Sequence, residues 1–289
     1  MSHWSAQRRN GVLSLTSTHT INIVVAVLTL PIILASLPIA DYGKWQFMLA
    51  LQAWGLMFSA QQITDGSKRG LALGQDGTFL LALFNRAKWM LLCAGIFLLL
   101  GLFFAMTQRS TFALLSTLSA FYLFSNLLLQ TSIGEYFIAK KEFTFYGLWS
   151  TLSSPVARIG SSLVAASTHS IVLFVLFQIC FATLIGLGVL LRLLTKRKLW
   201  SHYKQRNYDV SCLKFGTRSL PTDILGITSN RIIEILIGVF FGLSNLAYFS
   251  VARDLRNQIA NLMKVVLPLF YSDFVKQPVE ALVGLVKKH

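Results

Sequence analysis

The sequence predicts an all-α polytopic membrane protein of about eight transmembrane helices, and three observations predict it. Of 289 residues, 54% are hydrophobic and only 13% are charged, with a mean hydropathy of +0.61. Soluble domains carry about 25% charged residues. The apolar residues also fall in long runs. About 20 helical residues, rising 1.5 Å each, cross a hydrocarbon core roughly 30 Å thick. Finally, lysine and arginine collect in every second gap between the runs.

Taken in order, the spans cover about 12–38, 43–62, 88–106, 111–131, 144–166, 170–194, 213–241 and 246–272. The first has a polar start (Ser14, Thr16, Ser17, Thr18, His19, Thr20, Asn22) and carries Pro31. A mid-span proline removes one backbone bond, which neighbouring groups must replace. The fifth contains Ser153, Ser154, Pro155 and Arg158, a second polar interruption. In the fourth, Ser125, Asn126 and Gln130 suit hydrogen bonding between helices.

The basic gaps hold Arg8 and Arg9; Lys68, Arg69 and Arg86; Lys140 and Lys141; Lys196, Arg197, Lys198, Lys204 and Arg206; and Lys276, Lys287 and Lys288. The alternate gaps hold only Lys44 and Arg109. This asymmetry puts both termini in the cytoplasm. Outer connections are short, which predicts tight hairpins. The longest inner loops, about 63–87 and 195–212, serve as topology signals or as contacts for anionic head groups.

A net charge of +15 does not imply nucleic acid here. Nucleic-acid binding asks for a basic stripe with exposed aromatics, whereas the 22 phenylalanines lie mostly inside the apolar runs. Cys93, Cys180 and Cys212 are far apart, so no disulfide framework or paired-cysteine metal site is expected. Arg8 and Arg9 precede an apolar stretch too long for a signal peptide, and it lacks a small-residue cleavage site. Phosphate-loop, zinc-hydrolase and nucleophile-elbow patterns are missing, and the short outer loops leave no room for a catalytic domain. A non-enzymatic protein without cofactor or metal is expected.

The stretch 216–264 organises the rest. It holds two apolar segments joined by Gly242-Leu-Ser-Asn245, yet carries Asp223, Arg231, Glu234, Arg253, Asp254, Arg256 and Lys264. Intramembrane charges cost roughly 2.5–3.5 kcal/mol each on insertion scales, so they turn to a bundle interior or an aqueous cavity. Asp223, Arg231 and Glu234 share one helical face; Arg253, Arg256, Asn257, Asn261 and Lys264 share a broader one. Arg231 and Glu234 can pair along their own helix, either as a neutralised pair or as part of a site. Arg253 and Arg256 have Asp254 as their only close acid in sequence, which leaves a net positive patch. Arg158 is the lone charge of its span, and His19 either lines a cavity or bonds between helices.

An internal echo accompanies these charges. Tyr42 follows Gly11 by 31 residues and Tyr248 follows Gly216 by 32, each where one long span turns into the next. Six spans separate the two starts, so the repeat is parallel. On this reading 1–194 is a six-helix lobe, 195–212 a basic cytoplasmic linker, and 213–289 the first hairpin of a second lobe.

Four segments carry a resemblance: Ala40-Asp-Tyr-Gly-Lys-Trp-Gln-Phe47, Ile138-Ala-Lys-Lys-Glu-Phe-Thr-Phe-Tyr146, Leu213-Lys-Phe-Gly-Thr-Arg-Ser-Leu-Pro221 and Asn245-Leu-Ala-Tyr-Phe-Ser-Val-Ala-Arg-Asp254. In these, and over nearly its whole length, the chain resembles the polysaccharide (O-antigen and repeat-unit) flippases of the multidrug/oligosaccharidyl-lipid/polysaccharide exporter superfamily. The resemblance implies two six-helix lobes that open alternately to either side of a bacterial inner membrane. It implies a cargo of oligosaccharide on undecaprenyl pyrophosphate, destined for lipopolysaccharide or similar surface polysaccharide, and contact with membrane lipid and with polysaccharide polymerase or ligase machinery. Arg158, Arg231, Glu234, Arg253, Arg256, Asn257 and His19 are then the candidate cavity residues. Such flippases have 12 or 14 spans, so this sequence reads as four or more short of a whole one. A multidrug exporter of the same superfamily and a non-transporting truncated product or scaffold are the alternatives.

Overall fold

Helices of the predicted class make up the described chain. The computed structural model describes residues 2–56, 61–123 and 128–264, and among them there is no β-strand. The order is α1 (Ser2–Ser36), α2 (Ile39–Gly55), α3 (Gln62–Ala72), α4 (Gly77–Met106), α5 (Ser110–Tyr122), α6 (Leu128–Ala139) and α7 (Phe143–Thr151). A π-turn at Leu152–Val156 leads into α8 (Ala157–Thr168), followed by α9 (Ile171–Lys196), α10 (Leu199–Lys204) and α11 (Ser211–Leu236). A second π-turn, Ile237–Phe241, precedes α12 (Leu243–Lys264).

By length and composition alone, three helical stretches are able to cross a membrane: Thr16–Ser36, Gly77–Met106 and Ile171–Lys196. They point large apolar side chains outward, among them Leu28, Leu99, Phe103, Leu184 and Leu191. A multi-pass membrane protein exposes such a surface to lipid, and a soluble one would bury it. The fifth predicted span divides into α7, the π-turn and α8. Pro155 sits in that π-turn, where its missing N–H and its ring preclude regular α-helical bonding. The polar start of the first span is satisfied locally: Thr18 Oγ1 donates to Ser14 O at 2.8 Å, and Asn22 Nδ2 to Thr18 O at 3.0 Å. Ser14 Oγ reaches across to Phe143 O at 3.0 Å and ties α1 to α7.

Two predicted inner loops are instead built structure. Residues 63–87 form α3 and the first turns of α4, with Ile63, Thr64, Ser67, Gly70 and Leu71 buried. Linker 195–212 contains α10, whose Leu199 is fully buried and whose Tyr203 packs edge-on to Phe84 with 5.6 Å between ring centres. The linker then bonds to the α4 start through Gly77 N to Asn207 O (3.0 Å) and Asp209 N to Thr78 Oγ1 (2.8 Å).

Among the described residues most of the apolar core lies in two clusters, with a small third one of Ile63 and Ala82 under Leu213. One, at the end marked by the α1–α2 and α8–α9 turns, centres on Trp45, which meets Tyr122 and Phe174 edge-to-face at 6.4 and 6.5 Å. The other, at the end marked by the α3–α4 and α6–α7 turns, centres on Tyr136 and Phe79, 5.3 Å apart. Glycines let α11 and α12 approach: a Cβ on Gly216 would lie 2.7 Å from Ile63 N, and one on Gly43 would overlap the carbonyl of Leu243. Small residues at helix crossings permit this backbone-to-backbone contact. The echoed tyrosines differ in setting, Tyr42 being buried and Tyr248 exposed.

Candidate functional site

The turn between α11 and α12 depends on Gly242, whose φ of 89° only glycine adopts without strain. It returns the chain so that α12 packs along α2 and meets α11. The buried face of α12 runs through Leu246, Ala247 and Ser250 toward Arg253. At the far end of this face two helices bring their charges together.

Glu234 is the hub and is 1% exposed. Arg231, one turn earlier on α11, donates from Nη1 to Oε1 at 3.0 Å and to Oε2 at 3.2 Å. Arg253 approaches the same carboxylate from α12, its side chain 13% exposed, and its Nη2 also reaches Asp254 Oδ1 at 3.1 Å. Asp254 is therefore not the only close acid of Arg253, as sequence spacing suggested. The hairpin supplies Glu234 as a second one. A buried carboxylate between two guanidiniums offsets part of the desolvation of all three groups.

Tyr42 lies within electrostatic reach of Asp254, Arg158 and Arg253, and its hydroxyl accepts from Gln46 Nε2 at 2.8 Å. Arg158 of α8 is half-buried and lies within the same electrostatic reach, without a hydrogen bond or ion pair to Glu234 or Arg253 among the described residues. Three arginines (158, 231 and 253) and two carboxylates (Glu234 and Asp254) lie in this region, which leaves one positive charge in excess. Ser250 Oγ and Arg253 Nε are buried without a hydrogen-bond partner among the described residues. Both are donors suited to anionic oxygen.

Arg256 points away from this centre: it is exposed and its nearest bond, 3.4 Å, is to its neighbour Asn257. His19 is half-buried on α1, and no hydrogen bond among the described residues joins it to the cluster. The side chains of Asp223, Ser125, Asn126, Asn261 and Lys264 lie outside the described residues.

A second charged cluster is not apparent from the sequence. Arg86, which sequence position assigns to a topology signal, is fully buried on α4. Its Nη1 donates to Thr64 Oγ1 at 3.2 Å and also to Thr131 Oγ1. Lys68 beside it pairs with Asp65 at 2.7 Å and with Glu135 at 2.8 Å. The cluster pins α3, α4 and α6 together. Among the described residues no three His, Cys, Asp or Glu side chains converge as a metal site.

Comparison with curated proteins gives no match, nor does comparison with solved structures. The polysaccharide biosynthesis protein family, however, matches residues 9–270 and so takes in both charged clusters. This helical, multi-pass membrane chain belongs to the polysaccharide biosynthesis protein family.

Proposed function

We propose that the chain acts as a flippase for oligosaccharide repeat units linked to undecaprenyl pyrophosphate, carrying them across the bacterial inner membrane by alternating access, without covalent chemistry. In this reading 1–194 is the first lobe, 195–212 a clasp on its cytoplasmic side, and the segment from 213 opens a second lobe, with both termini in the cytoplasm. The observation that carries the proposal is the Arg231–Glu234–Arg253 centre at the α11–α12 hairpin, with Arg158 near and net positive charge. A pyrophosphate cannot cross hydrocarbon unaided, and arginine pairs phosphate oxygens two at a time. Positive excess also disfavours the cationic cargo of a multidrug exporter. Glu234 holds the guanidiniums in place until a diphosphate competes for them.

The test is export. In cells lacking their own flippase, the protein should restore surface polysaccharide. Arg253→Gln combined with Arg158→Gln should abolish that export at unchanged membrane abundance. Normal export by the double variant would refute the assignment.

A further inference from the structure

A groove of about 480 Å³ lies between α6, α7 and α9, on the outside of the first six spans and away from the arginine centre. Its floor is apolar and buried: Phe137, Trp149 and Leu193. The wall residues Phe145, Leu148 and Leu152 are exposed on the lipid-facing side. One end is different in kind, being rimmed by Arg192, Lys196, Arg197 and Glu142.

Charge at this rim is unbalanced. Arg197 pairs with Glu142, but Arg192 and Lys196 have no carboxylate partner among the described residues. Instead Arg192 lies over the Phe145 ring, 5.5 Å from its centre, which holds the guanidinium across the groove mouth. From Glu142 to Leu152 the helix climbs about 15 Å, half of a roughly 30 Å hydrocarbon core. The groove thus runs from a cationic mouth at the membrane surface to an apolar end at the midplane. Glu142, Lys196 and Arg197 of the rim lie in the gaps rich in lysine and arginine, which face the anionic cytoplasmic leaflet, and Arg192 lies one helical turn inside the sixth span.

We infer that this groove is a binding site for an anionic glycerophospholipid, the phosphate held by Arg192 and Lys196 and one acyl chain lying along Leu148, Leu152 and Ile185. Phosphate chemistry explains the unpaired cations, and the length of a single leaflet explains the extent of the apolar wall. A 55-carbon polyprenyl tail would overrun it. The site is independent of the transport reading, since it uses none of the residues of the arginine centre.

The test uses the purified full-length protein in neutral detergent, titrated with phosphatidylglycerol and followed by thermal unfolding and native mass spectrometry. Phosphatidylglycerol should raise the melting temperature by several degrees and stay bound in the spectrometer. Arg192→Gln with Lys196→Gln should weaken binding roughly thirtyfold, as the loss of two cations beside an anionic head group implies. The charge-keeping exchange Arg192→Lys with Lys196→Arg should bind like the parent. Leu148→Trp, which fills an exposed part of the groove, should lose the lipid while keeping its helix content. Arg109→Gln, at the opposite end of the helices, should change nothing. An equal shift with phosphatidylcholine, the same shift with inorganic phosphate alone, or unchanged binding by the double glutamine variant would overturn the site.

Discussion

Arg253 of α12 ion-pairs with Glu234 of α11, joining the two helices through a carboxylate that is 1% exposed. Because Arg231 holds the same carboxylate, the hairpin has one acid shared between two bases. Losing the acid therefore strands more charge than losing either base. Glu234→Gln should destabilise the folded protein by about 3 kcal/mol, the scale for breaking a buried pair while leaving its partner charged. Adding Arg253→Gln should recover much of that loss. Thermal unfolding of the single and double variants in detergent measures both effects, and additive losses would show the pair to be uncoupled.

The buried cluster around Arg86 is a structural clamp. Arg86→Ala should cost about 3–5 kcal/mol, because it opens a cavity and removes one of the two cations, Arg86 and Lys68, that offset Asp65 and Glu135. The triple variant Arg86→Met, Glu135→Gln, Lys68→Met should be more stable than Arg86→Ala. Unfolding temperature and membrane abundance give the readout.

The proposed orientation rests on the basic gaps. Single cysteines at Gln108, Ser167 and Ser244, in a background without the native three, should react from outside with an impermeant thiol reagent. These positions are exposed at the α4–α5, α8–α9 and α11–α12 turns. A cysteine at Arg197 should react only after the membrane is opened.

Much of this architecture is legible in the sequence. Apolar runs mark the helices because lipid demands them, and the three-residue spacing of Arg231 and Glu234 implies their pairing on one helix face. The Arg253–Glu234 contact is not legible, because it depends on how far Gly242 folds α12 back and how closely Gly43 lets α12 approach α2. Arg86 escapes for a different reason. Counting basic residues between spans treats each as solvated, yet Thr64 and Thr131 supply hydrogen bonds that let this one be buried. Likewise α10 holds only six residues, too few for periodicity to reveal, and its position is fixed by aromatic packing on Phe84.

The linker should respond to acid. Asp209 accepts from Ser211 Oγ at 2.7 Å and from Ser211 N at 2.8 Å, which holds its carboxyl below the usual range. Its stabilisation is present above the unfolded value near 3.8 and is lost as pH falls through the lower folded value. Burial, with Asp209 adding to it, pushes the Cys212 thiol up to about 11. Cys212 should thus resist alkylation at neutral pH. Below pH 3.8 the parent should lose more stability with falling pH than Asp209→Asn, which lacks the titrating carboxylate, as thermal unfolding across that range would show.

The most direct measurement of the central claim is equilibrium binding of radiolabelled undecaprenyl pyrophosphate to the protein in nanodiscs of neutral lipid. Charge-assisted contacts of about 1.5–3 kcal/mol each predict that Arg253→Gln weakens binding roughly tenfold or more, and that Arg253→Lys recovers only part of it. Undecaprenol, which has no phosphate, should not compete. Unchanged affinity in folded Arg253→Gln and Arg158→Gln, or equal competition by undecaprenol, would contradict a pyrophosphate site at the arginine centre.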